Sequence, residues 1–303
     1  MATITIIGTG LIGCSMGMRL RQLNHFVVGI DSNNENLEKA LNLGAIDAKS
    51  QSPDSYRGNQ STCLPARQVI QSSIVIIAIP VDTSLEILPK VLDLLPEDGV
   101  VFDAGSTKMA ICDRVRNHPR RSSFVAAHPM AGSEQSGPDA AKPNLFDGKR
   151  IAICEQELTD QNSLDKALEI FSQLGLEVIH ISPNQHDATV ALVSHLPQMV
   201  AFAFGSLPEF DDSTNQNWSD LASTGFDSLT RLSSSTPEVW LPIVAQNRSH
   251  IVSLLHSLSR NLDMLADSLS DKNPIPLRMK MEKALKTRAQ FEAKKNKESK
   301  QVE

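Results

Sequence analysis

The feature that most constrains this chain is a glycine-spaced turn placed directly after its first apolar run. Thr3–Ile7 reads as a short β-branched strand, and Gly8-Thr9-Gly10-Leu11-Ile12-Gly13 follows at once. Gly8 permits a tight turn, Gly10 lets another molecule approach the backbone, and Gly13 lets the following helix pack closely on the strand. The first turn of that helix, with Leu11 and Ile12, offers unpaired N–H groups and the positive end of a helix dipole to a phosphate. Taken alone the G-x-G-x-x-G spacing is weak evidence. Flanked by strand and helix, and with Asp31 closing the next strand, it reads as a dinucleotide site. A carboxylate at Asp31 can accept from adenosine ribose hydroxyls and would repel the extra phosphate of NADP, which favours NAD as cofactor. The alternative for Asp31 is a turn residue at the strand end.

The alternation begun by this turn continues. Strands are expected at Phe26–Ile30, Ile74–Ile79, Val100–Phe102 and Phe124–Ala127, with helices over Gly13–Leu23 and Glu35–Leu43. Their near-continuous apolar character suits strands buried on both faces of a parallel sheet. A further unit follows, with strands at Ile151–Cys154 and Val178–Ile181 around a helix over Ser163–Leu174 that Gly175 closes. The expected fold is therefore α/β, a Rossmann-like doubly wound N-terminal domain over residues 1–183. Residues 48–66 read as a polar surface loop.

The pattern changes at Ser182-Pro183-Asn184-Gln185, where Ser182 can cap a helix, Pro183 suits its first position and Gln185 can complete a capping box. No strand is expected beyond this point. His186–Gly205 reads as a long helix and a second begins near Pro237. Within the latter, Leu255, Leu258, Leu262, Leu265 and Leu269 repeat at spacings of three and four, a seam that requires cover from another helix. An all-helical C-terminal domain over residues 184–303 follows, serving substrate binding and dimerisation. The seam is either internal core or a homodimer interface. From Arg278 the chain is Lys-rich and poor in large apolar residues after Phe291, and is expected to fray.

At 303 residues the chain is long enough for two domains. A formal net charge of −6 argues against a nucleic-acid partner and requires local cations at any site for an anion. Cys14, Cys63, Cys112 and Cys154 show no metal-ligand or redox spacing, so no metal is expected. The N-terminus has no signal-peptide pattern, and the apolar run Ile74–Pro80 is too short for a bilayer, which needs about 20 residues. A cytoplasmic protein with no membrane partner is the expectation.

Four further segments carry chemistry: Asp103-Ala104-Gly105-Ser106-Thr107-Lys108, His128-Pro129-Met130-Ala131-Gly132-Ser133-Glu134, Ser194-His195-Leu196-Pro197, and Gly225-Phe226-Asp227-Ser228-Leu229-Thr230-Arg231 followed by Pro237 and Trp240. In this order behind the glycine loop they resemble the prephenate/arogenate dehydrogenase family, over nearly the whole chain to about residue 270. The His-Pro-Met-Ala-Gly run is the most specific of them. The resemblance implies an NAD-dependent oxidative decarboxylation of prephenate in tyrosine biosynthesis, with a small-molecule substrate. It assigns catalysis to His128, as base for the ring hydroxyl, and to Ser106, which hydrogen-bonds that hydroxyl and helps hold the histidine. It assigns substrate binding to Arg231, His195 and Glu134. For Ser106 a helix cap near Lys108 is the competing role. For His195 it is a core histidine at a helix kink caused by Pro197. Lys108 adds positive charge near the site, and Trp240 packs over Arg231 or lines the pocket.

Two positions depart from the family pattern. Gln198 stands where several relatives have a second histidine, and Ser228 stands three places before the late arginine where many have an acid. Prephenate is preferred, with arogenate as the alternative substrate. A β-hydroxyacid-type dehydrogenase would need a helical Gly-x-x-Gly-x-x-Lys that the second half lacks. An NAD-binding sensor without turnover would not need His128, Ser106 and Arg231 together.

Overall fold

The computed structural model describes residues 1–51, 66–132, 135–207, 218–271 and 273–299. The N-terminal elements are β1 (Thr3–Ile7), α1 (Leu11–Gln22), β2 (Phe26–Asp31), α2 (Asn34–Asn42), β3 (Ala48–Gln51), α3 (Ala66–Ile70), β4 (Ile74–Ile77), α4 (Val81–Leu94), β5 (Val100–Asp103), α5 (Met109–Val115), β6 (Phe124–Pro129), β7 (Arg150–Cys154), α6 (Gln161–Gln173) and β8 (Glu177–His180). Helices follow: α7 (Pro183–Val190), a π-helical turn over Ala191–His195, α8 (Leu196–Gly205), α9 (Trp218–Leu221), α10 (Thr224–Thr230), a 3-10 turn over Arg231–Ser234, α11 (Pro237–Gln246), α12 (Arg248–Ser270) and α13 (Pro274–Ser299).

The strands form one sheet in the order β3-β2-β1-β4-β5-β6-β7-β8. Neighbours run parallel except β6 and β7. Parallel neighbours need long crossovers, and the crossover helices cover both sheet faces. Adjacent residues of one strand therefore enter different cores. Ile6 and Ile76 pack with Met16, Leu20, Leu37 and Phe171, while Ile7 and Ile77 pack with Ile87, Leu88, Val91 and Ile111. The chain leaves β1 towards β2 on one side and later returns to β4 on the other. At this reversal the carboxyl ends of the strands open a crevice for ligand.

The β5–β6 join is reinforced by a buried ion pair. Regular pairing stops after Phe102–Val125, and the Asp103 side chain takes over. One carboxylate oxygen accepts from Ala127 N–H (3.1 Å), and the other accepts from Gly105 N–H (3.0 Å) and from the Lys108 ammonium. Lys108 also donates to the Ala127 carbonyl (2.7 Å). The clip holds β6 to β5 one residue before His128.

Several expectations need correction. The segment from residue 48 is not all loop: Ala48–Gln51 pairs with β2, and residues 52–65 lie outside the described residues. β4 ends at Ile77 rather than Ile79, because Pro80 has no N–H for the ladder and is the N-cap of α4. The helix expected over His186–Gly205 contains a π-helical turn just before Pro197, where the proline ring and missing N–H disturb the regular ladder. The run Pro183–Gly205 is long and apolar enough to cross a bilayer, contrary to the reading based on Ile74–Pro80. Its His186, Asp187, His195 and Gln198 are buried in the protein, while Leu192 and Val193 are exposed. The stretch from Arg278 is helical to Ser299 rather than frayed. Its residues are strong helix formers, and Arg278–Glu282 and Arg288–Glu292 bridge one helical turn at 3.0 and 2.6 Å.

The chain separates into compact units Met1–Arg248 and Ser249–Glu303, later than residue 183. Residues 183–248 join the first unit because α7 buries polar side chains at the ends of β5 and β6 and α11 packs on α4.

The buried clip generates a test. Lys108→Met leaves the Asp103 carboxylate buried without its cation. Unfolding in urea is expected to show a loss of about 3–5 kcal/mol; a loss below about 1 kcal/mol would contradict the clip.

Candidate active site

The glycine loop has the geometry that a dinucleotide needs. Gly8 has φ +98°, a conformation that disfavours other residues. A Cβ there would lie 2.3 Å from the Ala78 carbonyl oxygen, and a Cβ on Gly13 would lie 1.9 Å from that of Gly8. A Cβ on Gly10 would meet nothing within 4 Å, which leaves open space where a pyrophosphate would approach. The first turn of α1 has no side-chain cap and no acidic residue, so its N–H groups stay available to an anion. Asp31 acts within the loop as well. One oxygen accepts from the Thr9 N–H (2.8 Å) and hydroxyl (2.9 Å), and the other from Asn33 N–H (2.8 Å). It braces the loop and still has acceptor capacity for a ribose hydroxyl.

His128 lies near the end of β6, three strands from β1, which leads into the glycine loop. At about 4.8 Å per strand, three steps separate β1 from β6 by about 14 Å. An extended dinucleotide bridges such a distance.

Three side chains behind His128 form a chain. His128 Nδ1 lies 2.8 Å from His186 Nε2, and His186 Nδ1 lies 2.7 Å from an Asp187 carboxylate oxygen. Asp187 also caps α5 from outside that helix, accepting from Lys108 N–H (2.8 Å) and Met109 N–H (3.0 Å). Burial by itself would raise the Asp187 pKa; the hydrogen bonds from His186 and from the two backbone groups outweigh it and hold the carboxyl below its usual range. Burial, with the neighbouring His186, Lys108 and His195, pushes His128 well below the usual histidine value, so the imidazole is neutral at working pH.

His195 ends the π-helical turn and is buried. Its Nδ1 lies 3.1 Å from Asn247 Nδ2, which also donates to the Asp187 carbonyl (2.7 Å). The Trp240 ring meets His195 edge-on at 5.8 Å. Burial lowers the His195 pKa to about 4, with Asp187 opposing and His186 adding to the shift.

The other expected residues fall as follows. Ser106 is partly buried in the turn after β5, and its hydroxyl makes no hydrogen bond to another described residue. Asp187 occupies the capping role at the start of α5 that was the alternative for Ser106. Lys108 does bring charge near His128, but its ammonium is fully buried and committed to Asp103. Arg231 begins an exposed 3-10 turn that packs on α8, the helix following His195. Gln198 is buried and donates to the Leu232 carbonyl (2.6 Å), so it fixes the turn that carries Arg231. Ser228 is exposed on α10. Trp240 packs on His195. Glu134 lies outside the described residues, as does Cys63. Cys14, Cys112 and Cys154 are buried thiols; burial pushes Cys14 and Cys154 up to about 12 and Cys112 upward as well. They are protonated and poor nucleophiles. Sequence reasoning missed His186, Asp187 and Asn247, and singled out the segment from Asp103 to Lys108 without the ion pair between its ends. The only local signal was that His186 and Asp187 directly follow a capped helix start.

The depressed histidines set a pH dependence. An unfolded histidine takes its proton near pH 6.5, whereas folded His195 resists until about pH 4. Between those values the unfolded state binds more protons, so stability falls as pH drops, by up to about 3 kcal/mol from His195. His128 acts in the same direction, and Asp187 stays ionised throughout the window. Urea unfolding at pH 7 and pH 4.5 is expected to show this fall, and His195→Gln to reduce it. Equal stability at both pH values would contradict the burial account.

Comparison with known proteins identifies the family. The family model described as prephenate dehydrogenase, nucleotide-binding domain, matches residues 16–180. The model described as prephenate dehydrogenase, dimerization domain, matches residues 182–283. The first match begins beyond the glycine loop, whose reading rests on its own shape. A prephenate dehydrogenase of Bacillus subtilis is 30% identical over 87% of this chain and 69% of its own length. The crystal structure of prephenate dehydrogenase from A. aeolicus in complex with hydroxyphenyl propionate and NAD+ is similar with a TM-score of 0.83 at 27% identity, covering 96% of this chain and 98% of that one. Synechocystis arogenate dehydrogenase is similar with a TM-score of 0.73 at 25% identity, covering 95% of this chain and 99% of that one. With both domain models matched in order along most of its length, the chain belongs to the prephenate dehydrogenase family.

Proposed function

We propose that the chain catalyses the NAD-dependent oxidative decarboxylation of prephenate to 4-hydroxyphenylpyruvate, the precursor of tyrosine, as a cytoplasmic enzyme. The observation that carries this reading is His128 at the carboxyl end of β6, backed by His186 and Asp187 at 2.8 and 2.7 Å, on the same sheet end as the glycine loop. Gly8, Gly10, Leu11, Ile12 and Gly13 hold the pyrophosphate through backbone, and Asp31 accepts from the adenosine ribose. NAD, when bound, accepts the hydride from the carbinol carbon. His128 takes the proton of the ring hydroxyl, and Ser106 donates a hydrogen bond that orients this hydroxyl. As the ring carboxylate departs as CO₂, the electron pair of the broken C–C bond makes the ring aromatic, and the phenolate oxygen takes its proton back from His128. Arg231 binds a substrate carboxylate with a planar two-pronged donor set. His195 and Glu134 complete substrate binding.

Arogenate is the second reading. It is favoured by the likeness to an arogenate dehydrogenase and by the residues near Arg231. Gln198 spends its amide on Leu232, and on α10 the acid before the arginine turn is Asp227, one position earlier than the family pattern, with Ser228 in its place. We also place the functional boundary at 183/184, between the nucleotide-binding domain of residues 1–183 and the helical domain of 184–303; the meeting of the two family models between residues 180 and 182 supports it. The helical part forms a homodimer. In support, the α12 seam keeps Leu262 and Leu269 exposed, at 56% and 66%.

Turnover is read by NADH absorbance with prephenate and with arogenate. Prephenate is expected to give the higher kcat/KM; a higher value for arogenate selects the second reading, and no turnover with either overturns both. Arg231→Lys is expected to raise KM for the ring substrate about tenfold, equivalent to about 1.4 kcal/mol, and an unchanged KM removes Arg231 from the site. Sedimentation of a Leu262→Glu, Leu269→Glu double variant is expected to show monomers where the parent protein is dimeric. A double variant that stays dimeric would place the interface elsewhere.

A further inference from the structure

We infer that Asp187 sets opposite proton positions on the two site histidines, leaving His128 with a bare Nε2 and His195 with a protonated Nε2. The inference rests on the function proposed above and adds His186, Asp187 and Asn247 as positioning residues.

The logic uses groups whose roles allow no choice. A carboxylate only accepts, so His186 must donate to Asp187 from Nδ1 at 2.7 Å. A His186 ring with a single hydrogen has it on Nδ1, which leaves Nε2 bare. The His128 Nδ1 that faces it at 2.8 Å must therefore carry the hydrogen. The remaining nitrogen of His128, Nε2, has a lone pair and makes no hydrogen bond to another described residue. This is the tautomer that a general base requires. When His128 takes the hydroxyl proton, its Nδ1–H still points at His186, with a carboxylate behind, so the new charge is stabilised in place.

The second branch starts from the backbone of the same residue. The Asp187 carbonyl only accepts, so the atom of Asn247 that faces it at 2.7 Å is the amide nitrogen. That nitrogen also faces His195 Nδ1 at 3.1 Å, so His195 accepts at Nδ1 and carries its hydrogen on Nε2. His195 is thus a donor, suited to a carboxylate, carbonyl or hydroxyl oxygen. One residue fixes an acceptor at the end of β6 and a donor at the end of the π-helical turn. His186, Asp187, His195 and Asn247 are all at most 2% exposed, so water does not compete for these bonds.

The test is the ¹⁵N NMR spectrum of protein labelled at histidine, assigned with His128→Gln and His195→Gln. The expected spectrum has protonated Nδ1 and bare Nε2 for His128, and the reverse for His195. The same tautomer on both rings would overturn the inference. In kinetics, His186→Leu removes the acceptor facing His128. It is expected to lower kcat about 100-fold, within the range of general-base contributions, while KM for prephenate and the affinity for NAD change less than about threefold. His186→Gln, whose amide oxygen can accept from His128, is expected to restore part of kcat. A His186→Leu protein with unchanged kcat would overturn the inference. The wild-type spectrum decides the matter if the variants do not fold. A wild-type protein that shows the expected spectrum but makes no NADH from either ring substrate contradicts the proposed function and supports the tautomer assignment.

Discussion

The buried carboxylate of Asp187 is the constraint on which the site depends. A buried charge costs several kcal/mol unless its lone pairs are filled. Here three N–H groups fill them, from Lys108, Met109 and His186. The first two belong to the start of α5 and tie the helical segment to the carboxyl end of the sheet. The third leads to His128, and the carbonyl of the same residue leads through Asn247 to His195. Loss of this one side chain would unpin the start of α5 and leave His186 without its acceptor. This also explains why residues 183–248 fold with the sheet despite being helical. Their buried polar groups are bonded to the strand ends, so the apparent boundary in sequence is a seam in chemistry.

The sheet supplies the distances. β1 and β6 lie three strand spacings apart, which puts the candidate base to one side of the pyrophosphate-binding turn, where the nicotinamide half of an extended cofactor would reach. Asp103 and Lys108 hold β6 to β5 where regular pairing has ended, so the residue that follows, His128, is carried on a fixed edge rather than a loose loop. A base that must meet a hydroxyl within hydrogen-bonding distance benefits from this rigidity.

Much of the architecture was legible because it rests on local rules. Alternating apolar runs marked the strands, and the glycines marked a turn where side chains at two positions would collide with backbone. Ser182 and Pro183 marked the start of α7, where the Ser182 hydroxyl does accept from Gln185 N–H at 3.3 Å. His128 was legible only through the segment around it and the family that segment resembles. His186, Asp187 and Asn247 were not, since their roles depend on partners 58 to 79 positions away. No spacing rule reports such a pairing. The short β3 was hidden for a similar reason: Ala48-Lys49-Ser50-Gln51 is polar, and only the β2 edge makes it a strand. From Arg278 a polar, Lys-rich composition suggests fraying, yet Lys, Arg, Glu, Gln and Ala favour helix by themselves, and the helix runs to Ser299.

The most direct test is a crystal structure of the chain with NAD and an unreactive ring analogue that keeps the hydroxyl. The account predicts His128 Nε2 within about 3.2 Å of that hydroxyl oxygen, with the nicotinamide stacked against the carbon that bears it. A hydroxyl turned away from His128, or a nicotinamide lodged elsewhere than beside β5 and β6, would contradict it.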